Sequence, residues 1–151
     1  MITNDEIEAY LLETGREFTS PEENMWVIHE GNHSENIVLY HTAPVVTFRV
    51  KLMEMPTARR AELCERLLRI NATEMVAGAY GIEDESIVIT DTLQAANLDM
   101  NELQAAIDGL SLAVSMYYDE LSAYRERTDE EQAQDAQLAA FDAQLAEATE
   151  A

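Results

Sequence analysis

The chain has 151 residues, enough for one domain with a core that needs neither disulfides nor a structural metal. Its 30 acidic against 9 basic side chains give a formal net charge of −21, which repels nucleic acid phosphates and anionic lipid and so argues against both as partners. A single cysteine, Cys64, excludes an intrachain disulfide framework or a cysteine metal site.

The first helix is marked by its caps. Thr3 fits as N-cap with Glu6 three residues on, Ile2 and Ile7 fit as a hydrophobic staple, and Gly15 stands where a left-handed residue ends the helix. Ile7, Leu11 and Tyr10 share its apolar face. Three strand-like runs follow, at 25–30, 36–42 and 45–53, separated by Gly31-Asn32 and Ala43-Pro44. The third alternates apolar Val46, Phe48, Val50 and Leu52 with Thr47, Arg49 and Lys51, so one of its faces is wet. The first two are apolar on both faces: Trp26 and Ile28 oppose Met25 and Val27, while Val38 and Tyr40 oppose Ile37 and Leu39. A face of that kind asks for a cover.

Thr57 is the expected cap of a second helix running to about residue 75, with Leu63, Cys64, Leu67, Leu68 and Asn71 near its buried stripe. Two more strands are expected at 76–82 and 86–92. Asp99 and Glu102 repeat the capping device for a third helix, whose seam is Leu103, Ile107, Leu110, Val114, Tyr117 and Leu121. Leu112 and Met116 lie off that seam, giving the helix a second apolar surface. The fold class is therefore α+β: an antiparallel sheet of about five strands in the order α-βββ-α-ββ-α over residues 1–124. Residues 125–151 form an acidic, Ala/Gln-rich tail, with Leu138, Phe141 and Leu145 at helical spacing. A docked helix and a disordered solubilising tail are both compatible with it.

No catalytic constellation is legible. The five glycines are scattered and form no phosphate loop, and no nucleophile elbow occurs. His29, His33 and His41 lie in one region with Glu30 and Glu35, and His29 and His41 are candidates to neighbour each other across a hairpin. Imidazoles with a carboxylate can hold zinc or nickel, yet the spacing matches no established site, so no metal is expected. Glu83, Asp84, Glu85 and Asp91 supply oxygen donors without the EF-hand order. Cys64 reads as a packed, inert thiol. Neither cofactor nor enzymatic activity is expected. The polar N-terminus and the lack of a run near the ~20 apolar residues of a bilayer span place the chain in the cytoplasm. With Lys51 as the only lysine, the acidity fits a high-salt habitat as well as a basic partner.

Four of the nine basic residues, Arg59, Arg60, Arg66 and Arg69, fall on the second helix, two of them in its expected first turn, where the dipole disfavours cations. Acidic company is required. Glu62 and Glu65 on the same helix are one source, and a second protomer or the tail is another.

In element order the chain resembles the YbjN-like proteins with the type III secretion chaperone fold. The stretch 67–121, LLRINATEMVAGAYGIEDESIVITDTLQAANLDMNELQAAIDGLSLAVSMYYDEL, carries the likeness: a helix ending Arg-Ile-Asn-Ala, a short glycine-bearing strand, an acidic turn, an apolar strand and an Asn-Leu-Asp helix entry. The resemblance implies a homodimer through the second helix and the following strand, here Leu63, Arg66, Leu67, Ile70, Val76 and Tyr80. It also implies an apolar surface for an extended client, here Ile7, Leu11, Trp26, Ile28, Val38 and Tyr40. The expected function is a non-catalytic module that holds a partner polypeptide. The alternatives are a regulatory protein working through complexes of its acidic tail, and a weak metal binder.

Overall fold

The first helix begins where its caps put it. In a computed structural model describing residues 1–29, 36–125 and 129–150, α1 (Asn4–Glu13) opens on Thr3, whose hydroxyl accepts from the Glu6 amide while the Glu6 carboxylate accepts from the Thr3 amide. Ile2 and Ile7 are buried together, and Gly15 ends the helix at φ +73°.

Six strands follow in one antiparallel sheet: β1 (Glu17–Glu22), β2 (Met25–His29), β3 (Asn36–Thr42), β4 (Val45–Glu54), β5 (Ala79–Glu83) and β6 (Ser86–Gln94), in the order β1-β2-β3-β4-β6-β5. The α+β class holds, with one strand more than the five expected. β1 is mostly exposed and contains Pro21, which cannot donate to a ladder, so it survives only as an edge. The Gly31-Asn32 turn lies outside the described residues.

Between the two sets of strands runs α2 (Arg60–Thr73). Thr57 is not its cap. Arg59 takes that place in the left-handed region at φ 60°, without a side-chain capping bond. Its guanidinium donates twice to Glu62 and lies 4.4 Å over the Tyr124 ring, contacts that offset a conformation costly for a bulky residue. The helix stops at Thr73 rather than 75. α3 (Met100–Ser122) starts on Asp99, which accepts from the Glu102 amide at 2.8 Å, and all six seam residues from Leu103 to Leu121 are buried.

The buried side chains of α1, α2 and α3 join Trp26, Ile28, Ile37, Leu39, Val46, Phe48, Val50, Ile87 and Ile89 in a single core. All three helices therefore cover one face of the sheet. The tail forms α4 (Asp129–Glu150), and its side chains from 133 to 149 are all exposed, so it is helical but undocked.

Candidate functional site

Strand parity decides which apolar face is free. Trp26 and Ile28 point under α1, where the Trp26 indole donates to Glu8 at 3.1 Å and Ile7 and Leu11 are fully buried. These four residues, which the resemblance assigns to a client, lie buried in the chain's own core. The other two, Val38 and Tyr40, lie on the opposite face. There Tyr40 sits across from Met25 and Val38 from Val27, all four half-buried and none part of the core. The row continues through Arg49 and Thr90, and beside it through Thr47 and Thr92. This outer face is an apolar strip on β2 and β3 that gives way to a mostly polar half on β4 and β6, in which Val88 is buried opposite Lys51. Among the described residues no helix contributes a buried side chain to it.

A second apolar surface lies along α2 and the sheet edge at β5. Cys64, Leu67, Leu68, Asn71, Tyr80, Gly81 and Ile82 line a groove there, with Leu68 and Ile82 well exposed and no histidine or carboxylate among its walls. Of the residues that the resemblance assigns to a dimer, Leu63 and Ile70 are wholly in the core and Leu67 and Tyr80 nearly so. Of these, Leu67 and Tyr80 show an edge in the groove. Val76 is 81% exposed but lies beside Leu112 and Met116 of α3. Asn71 has a role that its place on a stripe did not disclose. Its amide donates to the Tyr80 carbonyl at 3.0 Å and accepts from the Tyr80 amide at 2.7 Å, closing the β5 edge at that residue.

Arg66 ties α2 to α3. It donates to Glu120 at 2.8 and 2.9 Å and to Glu74 at 3.3 Å, while the Tyr117 hydroxyl donates to Glu74 at 3.0 Å. The Tyr117 bond and then Arg66 hold the Glu74 carboxyl below the usual range, and burial pushes the neighbouring Tyr80 phenol up. The other arginines find partners in their own chain: Arg59 with Glu62, Arg69 with Glu65 and Arg60 with Glu85. Two of these pairs are the intrahelical kind expected, and the Arg60 and Arg66 pairs bind α2 to the rest of the body.

Among the described residues the donors considered for metal do not come together. His29 and His41 sit at opposite ends of the β2–β3 pair and on opposite faces, each bonded to an asparagine, Asn36 and Asn4 respectively. Glu30, His33 and Glu35 lie outside the described residues. Glu83 pairs with Arg49 and Glu85 with Arg60, while Asp91 stands far along β6. Among the described residues no three His, Cys, Asp or Glu side chains are grouped to hold an ion, and no helix is long and apolar enough to cross a membrane.

Solved structures share this arrangement. A chain of the heterodimeric ExoU–SpcU complex from the type III secretion system of Pseudomonas aeruginosa superposes with TM-score 0.62 at 18% identity, over 81% of this chain and 99% of that one. YbjN from E. coli, described as a putative transcription regulator, gives 0.63 at 15% identity over 81% and 93%. A chain of the ExsC–ExsE complex gives 0.61 at 11% identity over 85% and 100%. At these identities the likeness establishes the fold. No curated protein sequence matches the chain. The CesT_Tir_1 family model matches residues 2–127, the whole body up to α4, and the chain belongs to that type III chaperone family with a YbjN-like form of its fold.

Proposed function

We propose that the protein is a non-catalytic holder of a partner polypeptide, with the client lying across the outer face at Met25, Val27, Val38 and Tyr40. The observation that carries this is an apolar strip on two adjacent strands that, among the described residues, no helix covers with a buried side chain. An extended segment buries alternate side chains against such a strip, and several apolar anchors are needed because ordering it costs a few kcal/mol. The polar half around Arg49, Thr90 and Thr92 forms the rim, and the negative charge of the body favours basic clients. Family membership supports the reading, as does the presence of two-protein complexes among the structures of like fold.

A photo-crosslinking side chain in place of Tyr40 tests it in the native cytoplasm. The expected result is a discrete adduct that disappears with Val38→Asp and persists with Leu12→Asp, a change on the exposed side of α1. Crosslinking indifferent to Val38→Asp contradicts the assignment. For a homodimer, the exposed Leu68 and Ile82 of the α2/β5 groove are the surface that favours it, and Leu68→Asp is expected to halve the mass seen by light scattering.

A further inference from the structure

Two apolar seams in this chain face solvent and match each other. On α3, opposite its buried seam, Ala105, Gly109, Leu112 and Met116 recur at spacings of four, three and four, with Leu112 and Met116 50% and 57% exposed. Val76 and Ala77 wall one side of this surface, and a groove of about 510 Å³ opens between them, the end of β6 and the Ala105–Gly109 stretch of α3. On α4, residues 135–141 and 142–148 read DAQLAAF and DAQLAEA, a heptad repeat whose Leu138, Phe141 and Leu145 are 61%, 56% and 51% exposed. The family match ends at residue 127, before α4 begins, so neither fold nor family gives this helix a role.

We propose that α4 returns antiparallel along α3 of its own chain and seats Leu138, Phe141 and Leu145 on the seam and groove beside Val76. Register supports it. At about 1.5 Å per residue, Leu138 lies about 13.5 Å from the start of α4 and Leu112 about 15 Å from the end of α3. The same count puts Phe141 and Gly109 at about 18 and 19.5 Å, and Leu145 and Ala105 at about 24 and 25.5 Å. Three pairs thus fall level with one constant offset, and Phe141, the largest of the three, comes opposite Gly109 where that residue packs on Ala77. The short connection between α3 and α4 is of the length that joins antiparallel neighbours, and it raises the local concentration of α4 to roughly millimolar. Both surfaces are acidic: Asp91 and Glu102 line the groove, and Asp142 and Glu147 flank the stripe. Closure is therefore opposed by charge and strengthened by salt.

The inference is independent of the client strip, which lies on the opposite face of the sheet. Its test is a short bismaleimide on the full chain with Cys64→Ser. Ala105→Cys is paired with Ala148→Cys, which closure brings within about one helical turn of it, or with Gln134→Cys on the same face of α4 but about 16.5 Å from the level position. An intrachain product from the first pair and not the second is expected. Its yield should be about threefold or more higher near 1 M NaCl than in dilute buffer. Phe141→Asp should cut it about tenfold. Products linking two chains would make a second copy the occupant and overturn the proposal. So would equal yields from both pairs, or no product at any salt.

Discussion

At the scale of single residues, Asn71 fastens the β5 edge to α2. One carboxamide satisfies both the N–H and the C=O of Tyr80, main-chain groups that the edge strand leaves without a neighbour. Asn71→Leu keeps the size and removes both bonds, so about 1–3 kcal/mol of stability should go, read as a lower urea midpoint at unchanged m-value. Asn71→Asp keeps an acceptor for the amide but sets a carboxylate against the Tyr80 carbonyl, and should lie between the two. Glu74 gives a prediction in pH. Its carboxyl is depressed in the folded state by the Tyr117 hydroxyl and Arg66, so folded and unfolded chains both carry it ionised at neutral pH. As pH falls past the unfolded carboxylate value of 4.5, the unfolded chain takes the proton first, and the stabilisation is lost progressively down through the folded value. In Glu74→Gln the acid-side fall in Tm should be shallower than in the native chain, with the difference confined to pH below about 5.

Among the elements, what was legible followed from local chemistry. Thr3 with Glu6 and Asp99 with Glu102 each close a box within one turn, so the starts of α1 and α3 could be read from four residues. The α3 seam was legible for the same reason. α2 was not: its start depends on Arg59 held left-handed by Tyr124, a residue far away in sequence. β1 carries Pro21 and little apolar pattern, and exists because β2 offers it a ladder. The sidedness of the apolar strands was hidden for a different reason. Period-two alternation sorts Trp26 and Ile28 from Met25 and Val27, but nothing in a strand says which set a helix will cover. That sidedness can be tested on adjacent residues. Ile37, on the inner face, is 2% exposed, and Ile37→Asp should cost about 4 kcal/mol or more, enough to unfold the chain in mild urea. Val38→Asp, one residue on and facing outward, should change stability by about 1 kcal/mol at most. Similar costs for the two would mean that the outer strip is covered in solution.

The whole molecule is governed by its charge. Seven basic residues of the body, Arg16, Arg49, Lys51, Arg59, Arg60, Arg66 and Arg69, are engaged with carboxylates, each at or near the surface. Such pairs are weak individually and salt weakens them further. Against them stands the uncompensated −21, and folding brings those like charges closer than the unfolded chain does. The two effects respond to salt with opposite signs, so the slope of Tm against chloride concentration decides which dominates. Excess repulsion grows with the number of like-charged pairs, whereas attraction here is limited to nine cations, so repulsion should win and Tm should rise with salt. The rise should be steepest at low salt and flatten as the screening length shrinks towards about 3 Å near 1 M. The Phe141→Asp chain should show the same slope if screening acts on the body as a whole. A shallower slope in that variant would measure the part of the salt effect that comes from α4 closing on α3. A Tm that fell with salt would instead show that the surface ion pairs, and Arg66 with Glu74 and Glu120 above all, hold the body together against its charge.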